Sequence, residues 1–317
     1  MLKFQDCRAA DCASGLLGRF FAARHSRRGE NGFIIVAVLW ILAVLAALIS
    51  IYAIYVVNAA VSLSINDDRV QSEALTSAAL ELTAYQLTAV DENSRPTQGA
   101  FSFRMGRSDV AVAFRSETAR IDLNAAPKEL LAGLCAALGA SRDDAAYFAD
   151  RIIGWRTKAT EGADAETDAY RNAGLSYAPR QAPFASVGEL WLVLGLPPAL
   201  VERMLPYVTV FSGQTGVDVR DAAPLVIAAL PGMSPDRLDA VLSARQKAPQ
   251  DAQALTALLG PAQNSAGAAA GKATRVNVTI GFDNGRRVGA EAVILPLKDA
   301  DRPYRVLSWH DDFDGGA

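Results

Sequence analysis

Between Glu161 and Tyr170 the chain reads Glu161, Gly162, Ala163, Asp164, Ala165, Glu166, Thr167, Asp168, Ala169, Tyr170, the one stretch where oxygen ligands are spaced closely enough to gather round an ion. Carboxylates set about a glycine in an irregular loop suit a hard cation such as calcium, which takes about six to eight oxygens in flexible geometry. Asp164, Glu166 and Asp168 are the candidate ligands. The segment leading in, Gly154 to Ala159, places Lys158 against such a cation. The competing reading is a solvated acidic loop, and Lys158 favours it.

Other site chemistry finds little material. His25 lies near the N-terminus and His310 near the C-terminus, with no third histidine for a triad or a zinc cluster. No glycine-rich loop is set to cradle a phosphate; the run from Gly281 to Gly285 is a hairpin turn signal. Cys7 and Cys12 precede a long apolar run, and Cys135 follows it alone in a helix-like apolar stretch, which reads as a small core residue. Trp155, Trp191 and Trp309 read as packing residues. No catalytic residue is assigned, and the chain is expected not to be an enzyme.

The elements that position these residues start with the apolar run. The chain has 317 residues with 51% hydrophobic and 21% charged side chains, and a mean hydropathy of +0.14. The excess is local: Phe33 to Ile65 contains no Asp, Glu, Lys or Arg. The 25 residues from Phe33 to Val57 exceed the ~20 that a helix needs to span hydrocarbon. They are too long for an ordinary secretory signal, whose apolar core is about 7–15 residues. Arg24, Arg27 and Arg28 precede the run and Asp67, Asp68 and Arg69 follow it, so the positive-inside rule puts the N-terminus in the cytoplasm and the C-terminal bulk outside. Of the net charge of −3, the first 32 residues contribute +3, from six basic and three acidic side chains, leaving −6 beyond them. No basic field is present to recruit nucleic acid. From Phe33 to Glu92 there is no Gly or Pro, and apolar residues return at Val61, Ile65, Leu75, Ala79, Leu82 and Leu87. This predicts one continuous helix of more than fifty residues that stops near Asp91 to Pro96.

Arg27, Arg28, Gly29, Glu30, Asn31 and Gly32 followed by Phe33, Ile34, Ile35, Val36, Ala37, Val38, Leu39 and Trp40 resemble the class III, type IV pilin-like leader. The resemblance implies that a prepilin peptidase cuts between Gly32 and Phe33. Thirty-two residues is long for such a leader, so Met1 is expected to lie upstream of the working start. Most pilin-like proteins carry Glu at the fifth mature position, where this chain has Ala37. A carboxylate there is costly in lipid unless a neighbouring subunit's amino terminus pairs with it. The chain is on these residues similar to the minor pseudopilin K family of type II secretion systems, whose members lack that Glu. The resemblance implies a non-enzymatic subunit at the pseudopilus tip that initiates assembly for export of folded periplasmic proteins. It implies minor pseudopilins I and J as partners with H below them, the inner-membrane secretion platform as a further partner, and an inner-membrane anchor with a periplasmic domain. Members bind calcium in the loop corresponding to Asp164, Glu166 and Asp168, although they commonly carry Asp where this chain has Gly154, Thr157 and Lys158.

Beyond the long helix, Phe101 to Met105 and Val110 to Phe114 read as a hairpin, and Thr274 to Ile280, Gly289 to Leu295 and Tyr304 to Trp309 as further strands. Between them lies a weak repeat. Ile121 to Pro127 is echoed by Val217 to Pro224, each leading to a helix, a glycine turn and a second helix; a third hairpin spans Val187 to Leu205. Asn124 and Asp221 are the expected caps. Helix-hairpin-helix modules suggest DNA binding or DNA uptake as an alternative function, but the turns carry Asp143, Asp144, Pro197, Pro198, Pro235 and Asp236, which repel phosphate or remove donors. A single-pass membrane hydrolase is the other alternative. The expected fold is α+β: a pilin-like long N-terminal helix on an antiparallel sheet, interrupted by a large helical insertion. The expected segments are a leader at 1–32, a transmembrane stretch at 33–57, an amphipathic helical half at 58–92, strands at 93–122, a helical insertion at 123–212, a second hairpin at 213–262, a linker at 263–273 and C-terminal strands at 274–317.

Overall fold

The computed structural model describes residues 30–90, 95–159, 165–248, 252–266, 273–298 and 302–312. The chain divides after Ile65 into two units. Helix α1, Glu30–Thr88, runs for 59 residues through that division. In the first unit its apolar side chains are exposed, Phe33 at 78% and Trp40 at 70%, and Phe33–Ala59 is long and apolar enough to cross a membrane.

In the second unit the remainder of α1 follows the helical period. Ser72, Leu75, Thr76, Ala79, Leu80, Thr83, Ala84 and Leu87 are all buried, at steps of three and one that keep one stripe inward. Leu82 corrects the sequence expectation: it is 40% exposed, and Leu80 with the small Ala84 takes the inward position instead. Side chains of Val61 and Ile65 lie outside the described residues. The helix ends three residues before Asp91, where Arg95 Nε donates to the Leu87 carbonyl at 2.8 Å and satisfies one of the terminal acceptors.

That stripe lies on a five-stranded antiparallel sheet. Its strands are β1 (Gln98–Met105), β2 (Ser108–Ser116), β5 (Thr274–Gly281), β6 (Arg287–Pro296) and β7 (Tyr304–Asp312), in the order β1-β2-β5-β6-β7. Alternation decides the faces: Val110, Val112 and Phe114 of β2 and Val276, Val278 and Ile280 of β5 pack with Leu75, Leu80 and Leu87, while Ala111, Ala113 and Asn277 turn away. Every predicted strand is present. Each observed strand extends past its predicted range because polar residues continue the ladder.

Among the described residues between β2 and β5, the regular elements are helices apart from a two-residue parallel pair, β3 (Ile121–Asp122) with β4 (Val208–Thr209). The helices are α2 (Lys128–Ala137), α3 (Arg142–Arg156), α4 (Ala165–Asn172), α5 (Pro198–Met204), α6 (Pro224–Ala228), α7 (Pro235–Lys247) and α8 (Ala252–Ala257). They enclose their own core, with Leu130, Leu134, Ile152, Tyr170, Met204 and Ile227 fully buried. The two repeats give hairpins α2–α3 and α6–α7, which turn at Gly139 (φ +94°) and Gly232 (φ +71°). They meet closely: a Cβ at Gly133 would sit 2.0 Å from the Ala229 carbonyl oxygen. The first half of the third hairpin is 3₁₀ rather than α-helix, over Val187–Leu192.

The repeat extends to hydrogen bonds the sequence reading missed. Asn124 and Asp221 do not cap their helices; Asn124 instead clasps the backbone of Phe184, donating to its carbonyl at 3.0 Å and accepting from its N–H at 2.7 Å. Side-chain caps stand instead on the second helix of each hairpin: Ser141 before α3 accepts from the Asp144 N–H, and Ser234 before α7 accepts from the Arg237 N–H. An arginine near the end of each second helix then reaches back. Arg156 donates to the carbonyls of Leu123 and Ala126, and Arg245 to those of Val219 and Ala222, the equivalent positions. The expected linker falls mostly on residues 267–272, outside the described residues.

Candidate functional site

The sheet and the helical module have separate apolar cores, and polar groups lie between them. Glu117, directly after β2, is buried. Arg275 at the start of β5 donates through Nε to its Oε1 at 2.7 Å and through Nη2 to its Oε2 at 3.3 Å, and Thr209 of β4 donates to it as well. Arg275 also pairs with Glu291 of β6. Burial alone would lower the Arg275 guanidinium, yet the hydrogen bonds and charge of Glu117 carry it above its usual value. Arg120 sits beside this pair and is pulled below the guanidinium norm, first by burial and then by Arg275. A second buried pair lies within the second repeat, where Arg220 Nη2 meets Asp218 Oδ2 at 2.5 Å. Neither pair was legible as such, because their partners are far apart in sequence or hidden among ordinary surface charges.

The described members of the predicted ligand set are each engaged by an arginine. Asp164 lies outside the described residues. Glu166 and Asp168 both stand on α4 and each faces a guanidinium: Arg151 Nη2 lies 3.0 Å from Glu166, and Arg171 Nη1 2.5 Å from Asp168. Glu166 reaches down onto α3 because Gly154 has no side chain; a Cβ there would meet its carboxyl carbon at 2.7 Å. Arg151 is stacked over the Tyr147 ring, 5.4 Å from the centroid. Among the described residues no group of three His, Cys, Asp or Glu side chains is placed to hold a metal ion. Glu166 and Asp168 are thus held in arginine pairs, while the rest of the loop that would complete a calcium centre lies outside the described residues.

The remaining candidates are structural. The Tyr170 hydroxyl accepts from the Leu194 N–H at 2.8 Å, and burial pushes its pKa up to about 12. Burial likewise pushes the Cys135 thiol up to about 12, which removes it as a nucleophile. Trp155 is buried and donates to Glu189 at 3.0 Å, whereas Trp191 is 45% exposed and does not serve the packing role expected of it. His310 is exposed on β7, and His25 lies outside the described residues.

Residues 112–213, from β2 through β4, match the family model described as type II secretion system (T2SS), protein K. That segment is similar to the protein K family of the type II secretion system. The match covers Glu117, both members of the β3–β4 pair and helices α2 to α5. The fold is that of a solved relative: the crystal structure of the GspK-GspI-GspJ complex from the enterotoxigenic Escherichia coli type 2 secretion system contains a chain with a TM-score of 0.58 and 16% identity, over 78% of this chain and 97% of that one. No curated protein matches. At this identity the likeness is one of fold, a pilin-like helix and antiparallel sheet with helices inserted.

Ahead of the matched segment, Gly32 and Phe33 lie in the first turns of α1, and Ala37 follows one turn later, half-buried. The apolar stretch from Phe33 fits a membrane anchor.

Proposed function

We propose that this chain is a non-enzymatic minor pseudopilin of a type II secretion system. The observation that carries the reading is the segment similar to protein K behind a helix whose lipid-compatible part and sheet-packed part are one unbroken element. The apolar part holds the subunit in the inner membrane, with the N-terminus cytoplasmic and the domain periplasmic. A prepilin peptidase removes residues 1–32 by cutting between Gly32 and Phe33. The freed helix then bundles with the helices of minor pseudopilins I and J, with H below, and engages the inner-membrane platform. Partners I and J are supported by the solved relative, whose complex holds K, I and J together. Ala37 removes the carboxylate that would seek the amino terminus of a subunit above, so the chain has no need of one. That absence supports a position at the tip, from which it would initiate assembly.

Co-expression with a prepilin peptidase tests the reading by mass spectrometry of the mature N-terminus. A terminus at Phe33 is expected, and Gly32→Val should abolish it. An intact leader, or cleavage beyond the apolar stretch, overturns the assignment.

A further inference from the structure

On the sheet face turned away from α1, a cavity of about 410 Å³ opens among Gln98, Ala113, Arg115, Arg120, Arg275 and Asn277. Its floor is set by strand register. Gln98 stands opposite Arg115, and Arg115 opposite Arg275, so one row across three strands carries two guanidinium groups side by side. The next row, Ala100, Ala113 and Asn277, is small and leaves the space open. Like charges directly opposite one another on a sheet are destabilising. Arg120 adds a third cation at the rim.

Counterions within the protein cover only part of this. Glu117 and Glu291 both pair with Arg275. Among the described residues neither Arg115 nor Arg120 has a carboxylate within 4.0 Å. Three guanidinium groups face two carboxylates, which leaves one positive charge. Including the adjoining cavity, where Arg220 and Arg245 stand with Asp221 and Arg220 pairs with Asp218, adds two charges of each sign and keeps the excess at one. Arg120 is desolvated and repelled by Arg275, with Glu117 and Glu291 only partly offsetting this, so an arriving anion would relieve its burial. Two forked donors, Arg115 and Arg120, with the amides of Gln98 and Asn277, suit a planar oxyanion.

We propose that this cavity is a binding site for a single carboxylate, supplied either by a small free acid or by an acidic side chain of a partner protein. The size admits a side chain with its flanking backbone, since ligand cavities of this class begin at about 300 Å³. The proposal goes beyond the secretion role and does not depend on it.

The full chain in detergent micelles is titrated at constant ionic strength with acetate, with N-acetyl-glutamate amide, and with inorganic phosphate, against a chloride baseline, following thermal unfolding and calorimetric heat. Saturable carboxylate binding is expected, weakened roughly tenfold in both Arg120→Gln and Arg115→Gln, because each loses a charge-assisted fork. Arg305→Gln, which removes an exposed charge on β7, should bind as the wild type does. Arg115 is exposed, so its variant folds even if Arg120→Gln does not. Tighter binding of the glutamate derivative than of acetate assigns the site to a protein-borne carboxylate; equal binding assigns it to a free acid. Absence of saturation by either carboxylate, unchanged affinity in Arg115→Gln, or tighter binding of phosphate than of both carboxylates overturns the proposal.

Discussion

Arg151 occupies the place where an ion would otherwise be needed to hold α4 against α3. Its guanidinium meets Glu166 at 3.0 Å, with both side chains about four-fifths buried, and the absent side chain of Gly154 gives the carboxylate room. A cation built into the chain does not respond to chelator. Melting temperature should therefore be the same in excess chelator and in millimolar calcium, as scanning calorimetry will show, because a bound ion would raise it by linkage. Arg151→Ala should cost about 1–3 kcal/mol by urea unfolding, through loss of a charged hydrogen bond in a partly buried setting. The acidic run was visible in the sequence, but its partner was not: Arg151 is one of several basic residues on a helix that reads as solvated.

Elements were legible where a single period governs them. The alternation of β2 and the uninterrupted apolar run of α1 could be read directly, because burial on one face imposes them on the sequence. What could not be read is which of two nearby leucines faces inward once a helix turns slowly under a twisted sheet. Leu80 is fully buried against the sheet and Leu82 is 40% exposed. Leu80→Ala should cost about 2–5 kcal/mol and Leu82→Ala less than about 1 kcal/mol, compared by urea denaturation of the full chain in micelles. Equal losses would contradict the packing. The serine caps and the two reach-back arginines were also missed, since a cap is defined by backbone geometry and an arginine's target by the turn it folds over.

Across the whole second unit, apolar burial is split between two clusters, one on the sheet and one among the inserted helices. The link between them runs through Glu117, which touches Arg275 of the sheet and Thr209 of the module. Removing one member of a buried pair costs about 3–5 kcal/mol, because the other is left uncompensated. Glu117→Gln should therefore do more than lower stability. Hydrogen exchange should show the sheet amides and the helical amides opening together in the wild type and at separate free energies in the variant. Common opening in both would show that the two clusters are coupled by something else. The family likeness found this segment from its pattern as a whole, while no single residue in it announced a role.

Strand β5 is paired to β2 with Thr274 opposite Ser116, so the chain leaves the sheet and returns to it at neighbouring rungs after the entire helical module. A ribosome delivers residues in one direction, at about 5–20 per second. For the whole time the module is being made, Val110, Val112 and Phe114 have only β1 as a strand neighbour, with the stripe of α1 beneath them. The module, whose hairpins close over short distances, is free to finish first, and its completion brings the two rungs together. Biogenesis thus runs inward from the insertion, and the sheet that supports α1 is the last part to be zipped.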